Sequence, residues 1–290
     1  MYEEIQSTVT HVIHNAWHVN FNLTLPSFEP LVAGVRNLIN FSLSSPRRTT
    51  PSILFVSSIS VLQNQPSSPS PIPERPVKSV AYAVGTGYGE GKWVAEQVLL
   101  RAPSVPTTIV RVGQLCGDTV HGGWGEKEWV PSMLERSLAL GAIPMRDEVI
   151  DWIPVDIAAR TLLEMACSTA VQNECARILH VVHPYPIPWR TFSDHASQIL
   201  SLPSIPYTEW VTGLKQQVAL REYPLMEFFE QYRSTMISTE CAVKVSKTLK
   251  AAKKIEKEDV QKSNQSQPSA HLLRLYMLKE LIFVGFQYSQ

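Results

Sequence analysis

The segment Gly85-Thr86-Gly87-Tyr88-Gly89-Glu90-Gly91-Lys92-Trp93-Val94-Ala95-Glu96 constrains this chain most, because a glycine-rich turn runs straight into residues that suit a helix. Residues four apart share a helix face, so a helix that opens near Tyr88 and continues through Glu96 lays the Lys92 ammonium beside the Tyr88 phenol. A cation there stabilises the phenolate and lowers a pKa that starts near about 10. A tyrosine tuned in this way exchanges a proton with a substrate oxygen at neutral pH. Such a pair needs a hydroxyl to fix the carbonyl, and the strand-like run Ile53-Leu54-Phe55-Val56 ends in Ser57-Ser58. Ser, Tyr and Lys together form the constellation of carbonyl reduction. In isolation, a tyrosine and a lysine at this spacing are more often a coincidence in a loop before a helix, so the weight rests on context.

The glycines do not make a phosphate cradle of either common kind. A dinucleotide fingerprint has glycines at its first, third and sixth positions. Counted from Gly85 the sixth is Glu90, and counted from Gly87 it is Lys92. A P-loop needs a glycine, four intervening residues and then Gly-Lys followed by Ser or Thr; here Thr86 stands at the first glycine position and Trp93 follows the lysine.

With 290 residues the chain can bury a sizeable core as one large domain or two unequal ones. Lysine plus arginine equals aspartate plus glutamate at 26 each, which gives no overall electrostatic case for a nucleic-acid or anionic-membrane partner. Cys116, Cys167, Cys175 and Cys241 form no CxxC pair and no zinc spacing. Reduced thiols, an acidic Met1-Tyr2-Glu3-Glu4 start and the lack of any long apolar run suit a soluble, cytoplasmic protein. No metal site is expected: strand alternation sends His11 and His14 to opposite faces, and no carboxylate lies near them or His18.

In chain order, Thr10 to Ala16 reads as a short buried strand ending in a polar turn, and Ser27 to Leu43 as an amphipathic helix. Ser52 to Val56 is the next strand. Gln63 to Val77, with Pro66, Pro69, Pro71, Pro73 and Pro76, is expected to be an irregular surface loop and a functional cover. Pro106 to Gly113 reads as a strand, Val130 to Leu140 as a helix, Val149 to Pro154 as extended, and Asp156 to Cys167 as a helix. Ile178 to Val182 is a further strand and Trp189 to Leu200 a helix, followed by helices with aromatic anchors from Tyr207 to Tyr232. Trp124, Trp129 and Trp152 are expected in the core or a pocket wall. The stretch from Lys244 to Gln267, including the charges from Lys253 to Lys262, is expected to be solvated, and Leu272 to Phe286 to be a docking helix. Strand, helix and strand in alternation predict a doubly wound α/β sheet. Residues 1–185 form its Rossmann-like region, 186–245 a smaller, mainly helical substrate or lid region, and 246–290 an exposed tail.

Taken in order, these pieces resemble the thioester reductase domains of fungal adenylate-forming reductases and nonribosomal peptide synthetases, a branch of the extended short-chain dehydrogenase/reductases. The likeness covers Val9 to Gly213 and, more weakly, continues to Val260. It rests on Thr10-His11-Val12-Ile13-His14-Asn15-Ala16-Trp17, Ser27-Phe28-Glu29-Pro30, Phe55-Val56-Ser57-Ser58-Ile59-Ser60 and the Tyr88 segment. Arg111-Val112-Gly113-Gln114-Leu115-Cys116-Gly117, Glu128-Trp129-Val130-Pro131 and Asp151-Trp152-Ile153-Pro154-Val155-Asp156 complete it. The resemblance implies reduction of a phosphopantetheine-carrier acyl thioester to an aldehyde by NADPH. It implies that Ser58 and Tyr88 hold the carbonyl oxygen and that Lys92 lowers the tyrosine pKa and contacts the nicotinamide ribose. Asn15, Ala16, Ser57, Gly113 and Gln114 would line the cofactor. Spacing alone does not decide between Ser57 and Ser58 as the catalytic hydroxyl.

Two departures shape the expectation. Gly91 stands where the relatives usually have serine, loosening the first turn by about 1 kcal/mol. The family's glycine-rich turn and first strand would precede Thr10. The chain is therefore expected to be an N-terminally truncated piece that binds NADPH weakly, with Val9 to His14 as a sheet edge next to Ser52 to Val56. The rival readings are a non-catalytic remnant acting as an interaction module and a sugar-nucleotide epimerase or dehydratase.

Overall fold

The structure, a computed structural model, describes residues 1–66, 70–168, 178–217, 225, 229 and 236–252. Its longer helices are α1 (Tyr2–Thr8), α2 (Glu29–Leu43), α3 (Gly87–Leu100), α4 (Trp129–Leu140), α5 (Val155–Cys167), α6 (Trp189–Leu200) and α7 (Tyr207–Gln217). Its strands are β1 (His11–His14), β2 (Ser52–Ser58), β3 (Thr107–Val112), β4 (Leu115–Cys116), β5 (Ile143–Met145), β6 (Val149–Ile150), β7 (Ile153–Pro154), β8 (Ile178–Val181), β9 (Ile187–Pro188) and β10 (Ser204–Pro206). The charged run Lys253–Lys262 and the expected helix Leu272–Phe286 lie outside the described residues, as does most of the stretch between α7 and Tyr232.

The chain divides into two compact units. The first joins Met1–Gly113, Ala158–Val182 and Ile237–Lys250 around a parallel sheet of order β1-β2-β3-β8. Residues 53–57 of β2 are buried in an unbroken run, the pattern of a strand covered on both faces. Helices α2 and α3 supply one cover: Val35 and Ile39 of α2 and Ala95 and Leu99 of α3 pack on Ile53, Phe55, Ile109 and Ile178. β1 pairs with β2 in parallel register, His11 opposite Ser52 and His14 opposite Phe55. Among the described residues it stands at the edge of the sheet, the position expected for it.

The proline-rich loop corrects one expectation. Its described part is irregular, but it is fastened down and does not form a free cover. Ile72 bridges Ile237, and Ile72 and Val77 are buried with Val61, Leu62 and Ala83. The buried Glu74 carboxylate accepts hydrogen bonds from the backbone N–H groups of His180 (2.9 Å), Ala242 (3.1 Å) and Cys241. A carboxylate so deep needs those donors, and they bind the loop to β8 and to the short helix Ala242–Val245.

Residues 246–252 are likewise not part of an exposed tail. Ser246 and Leu249 are buried, and Glu164 of α5 accepts from the Ser246 hydroxyl and from the Thr248 N–H (3.1 Å) and hydroxyl (2.8 Å). Short polar side chains suggested solvent, yet here they cap a carboxylate.

The second unit joins Gln114–Ile157 and His183–Met236, so it begins well before the expected boundary at residue 186. The reason is aromatic packing: Trp124, Trp129 and Trp152 share one core with Trp189, Phe192 and Trp210. Around it stand α4, α6 and α7 with three two-stranded ladders, β5 with β10, β4 with β7, and β6 with β9. Among the described residues no helix is long and apolar enough to cross a membrane.

Candidate active site

The site is built where β1 and β2 end and α3 begins. The Thr86 hydroxyl caps α3 by accepting the Gly89 N–H at 3.1 Å, and the Glu90 carboxylate reaches back to the Gly85 N–H at 3.2 Å. Gly85 has a φ of 132°, a conformation that suits glycine alone. A Cβ on Gly87 would strike the backbone of Leu23, Thr24 and Leu25, so that segment crosses directly over the helix start. The glycines therefore serve a turn and a close chain crossing.

Tyr88 is buried, and its phenol is hydrogen-bonded to the Ser58 side chain. Ser58 ends β2, and its oxygen also accepts the Ser60 N–H at 3.2 Å, capping the 3-10 turn Ile59–Leu62. Successive strand side chains point to opposite faces, and the adjacent serine shows it. The Ser57 hydroxyl donates to Glu96 Oε1 at 2.6 Å and is turned away from Tyr88. Of the two serines left open by spacing, it is the Ser58 hydroxyl that lies beside Tyr88, while the Ser57 hydroxyl is engaged by Glu96.

Lys92 lies one turn after Tyr88 and is almost fully buried. Its Nζ donates to the Val56 carbonyl at 2.6 Å and lies 4.4 Å from the Trp17 ring centroid, 4.8 Å from Phe55 and 5.8 Å from Tyr88. Burial lowers its pKa to about 7, with the Glu96 charge opposing the drop. Burial also pushes the Tyr88 phenol above its ordinary value, while the Ser58 hydrogen bond pulls it back. The expected depression of the Tyr88 pKa by Lys92 is thus absent in this state. The ammonium is spent on the Val56 carbonyl and the aromatic faces, and desolvation of the phenolate outweighs what remains.

Asn15 and Ala16 follow β1 and are exposed at its carboxyl end. Just before them His14 has its pKa lowered by burial and by Lys92. The buried His14 Nε2 and Trp17 Nε1 have no hydrogen-bond partner among the described residues. Gly113 closes the first unit, with its N–H on the Val181 carbonyl at 3.0 Å and no room for a side chain against Val182. Gln114 opens the second unit, where its Oε1 accepts the Trp129 indole N–H at 2.7 Å.

Several residues of this neighbourhood escaped the sequence reading. Trp17 stacks on Phe28 with centroids 6.2 Å apart, and Phe21 lies 4.9 Å from the Tyr88 ring. Fully buried Arg111 donates to Glu96 from Nε (2.9 Å) and Nη2 (2.7 Å). A signal existed for the last pair: an arginine in the middle of a buried strand demands a carboxylate, and Glu96 lies one helical turn past Lys92.

Comparison with known proteins agrees with this architecture. Residues 1–162 match the NAD-binding family described as Male sterility protein. Over 247 residues the chain is 36% identical to Adenylate-forming reductase Nps10 of Heterobasidion annosum, covering 81% of this chain and 22% of that protein. Over 252 residues it is 31% identical to Carboxylic acid reductase of Neurospora crassa, covering 81% and 24%. The chain spans about a quarter of the length of these curated relatives. In fold it resembles the terminal R domain from the myxalamid PKS-NRPS biosynthetic pathway, with a TM-score of 0.70, 19% identity, and coverage of 97% of this chain and 69% of that one. Since the family match takes in more than half of the 290 residues, the chain belongs to the NAD-binding Male sterility protein family and is homologous to the fungal adenylate-forming reductases.

Proposed function

We propose that this chain carries the catalytic centre of an NADPH-dependent reductase that converts a carrier-bound acyl thioester to an aldehyde. The observation that carries the reading is the Ser58–Tyr88 hydroxyl pair with buried Lys92 one turn further along α3. Relatives with reductase names support it. So does the fit of a nicotinamide to this corner, where His14 Nε2 and Trp17 Nε1 lack a hydrogen-bond partner among the described residues and the exposed Asn15 and Ala16 follow. When bound, the nicotinamide supplies the hydride.

The chain's own groups then have these tasks. Ser58 and Tyr88 donate hydrogen bonds to the carbonyl oxygen, where negative charge develops. The raised pKa keeps Tyr88 protonated at neutral pH, so it can give up its proton as the oxyanion collapses to aldehyde and thiol. Lys92, its pKa lowered to about 7 by burial, lies 5.8 Å from the Tyr88 ring and supplies a cation beside the phenolate when it is protonated. Asn15, Ala16 and Gly113 would border the cofactor. A thioester suits this centre better than a free acid, because a carboxylate carries its negative charge on the group that must accept hydride.

The test is NADPH oxidation with a phosphopantetheine-tethered acyl thioester and, separately, with the corresponding free acid and no ATP. Turnover of the thioester with an inert free acid is expected. Equal turnover of both, or none with the thioester, contradicts the reading.

A further inference from the structure

The buried polar network below the candidate site joins three neighbouring strands to α3. Ser57 of β2 is in register with Arg111 of β3, and Arg111 with His180 of β8, so one polar residue from each strand forms a row across the sheet. Glu96 descends on this row from α3, taking the Ser57 hydroxyl on Oε1 and a two-point contact from Arg111. Arg111 spends its remaining Nη1 donors on the Arg75 carbonyl (3.0 Å) and on His180 Nε2 (3.3 Å). His180 is held in that acceptor state because its Nδ1–H donates to the Ser238 carbonyl at 2.9 Å. Burial, then the Arg111 charge, depress its pKa to about 3. The next register row up is Ser58 opposite Val112, so the network lies one residue below the hydroxyl that meets Tyr88.

We propose that Glu96 is a positioning residue. Clamped by Arg111 and Ser57, it locks α3 against β2 and β3 at the height where Tyr88 meets Ser58, and it presents its carboxylate one turn below Lys92. The inference rests on the proposed reductase centre only for the meaning of that positioning; the clamp itself is geometry. A two-point arginine contact fixes both distance and angle, which a single hydrogen bond does not. Glu96 follows Lys92 by one turn on the same helix, so any slide of α3 along β2 displaces all three side chains together. Around the Lys92 ammonium stand Tyr88 and Glu96 from α3 and His14 from β1, with Arg111 of β3 behind Glu96. Trp17, Phe55 and the Val56 carbonyl complete the surroundings without charge. Of the charged groups Glu96 is the one that favours the protonated amine.

The deciding experiment follows the titration of Lys92 itself, in the full chain labelled with carbon-13 at lysine Cε, its resonance identified by its loss in Lys92→Arg. Removing the charge with Glu96→Gln is expected to lower the Lys92 midpoint by about one pH unit, a tenfold change in its protonation equilibrium. Because that variant leaves Arg111 buried without its partner, the double variant Glu96→Gln/Arg111→Met, which removes both charges, is measured beside it and is expected to shift in the same direction. The alkaline limb of the turnover profile should move to lower pH by the same amount, which a merely structural role would not cause. An unchanged Lys92 midpoint in a folded variant overturns the proposal. Loss of the fold in both variants overturns it too, assigning the pair to the scaffold alone. Absence of turnover in the wild-type chain would count against the reductase reading and leave the titration to judge Glu96.

Discussion

The two halves of α3 bury polar groups on opposite terms. In the lower half Glu96 and Arg111 answer each other and are further satisfied by Ser57, His180 and the Arg75 carbonyl. In the upper half Lys92 has one carbonyl and three aromatic faces, Tyr88 has Ser58, and the neighbouring His14 and Trp17 nitrogens have no partner among the described residues. Desolvation leaves Lys92 with a pKa of about 7 and Tyr88 with a raised one. A closed network stabilises or specifies a fold, whereas groups buried with valences to spare hold free energy that a ligand can release. One helix thus carries a clamp and a candidate site two turns apart.

This contrast is open to attack by mutation. The largest stability loss is expected for Arg111→Ala, which strands the Glu96 carboxylate in the core. Removing one partner of a buried pair costs about 3–5 kcal/mol. Urea unfolding checks it, and a loss under about 1 kcal/mol would show that the lower half is no clamp.

Lys92→Met should act in the opposite direction. The folded pKa of Lys92 lies below its ordinary value, so holding the amine in the core costs stability wherever the unfolded chain would keep the proton. That cost is full below pH of about 7 and vanishes as pH rises to about 10, the unfolded value. Methionine should therefore stabilise the chain by about 2–4 kcal/mol at low pH after the lost Val56 hydrogen bond is deducted. The gain should fade toward high pH. Unfolding curves at both ends of the range decide this, and a variant that is less stable at low pH contradicts the burial argument.

The smallest effect is expected for Gly91→Ala. A better helix former contributes about 1 kcal/mol, but the new Cβ would lie 3.0 Å from Phe28 Cβ and 3.2 Å from its Cγ. The two nearly cancel, leaving a net change under about 1 kcal/mol. A larger loss would show that the Phe28 and Trp17 packing above α3 is rigid.

Much of the fold was legible because its signals are local. The apolar runs of β2, β3 and β8 and the period of α2 and α5 can be read within a dozen residues. The α3 start was legible too, since Thr86 and the glycines lie side by side. What was not legible depends on distance in sequence. Arg111 and Glu96 meet only because β3 and α3 pack together, and Glu74 reaches Ala242 only when the proline-rich loop folds back. The second unit begins early because tryptophans from Trp124 to Trp210 cluster, which no single window of sequence reveals. The Lys92–Tyr88 electrostatics depart from the spacing rule for another reason. A spacing rule treats the pair as if in water, but the aromatic wall of Trp17 and Phe55 changes the dielectric around it.

The account rests most directly on Tyr88, and the decisive measurement is Tyr88→Phe assayed for thioester-dependent NADPH oxidation with its urea midpoint recorded on the same sample. Phenylalanine keeps the ring packing against Phe21 and Phe28 and removes only the hydroxyl bound to Ser58. The expected result is turnover lower by about 10²–10⁴-fold at an unchanged unfolding midpoint. Wild-type turnover in a folded Tyr88→Phe chain would contradict the placement of the catalytic centre at the top of α3.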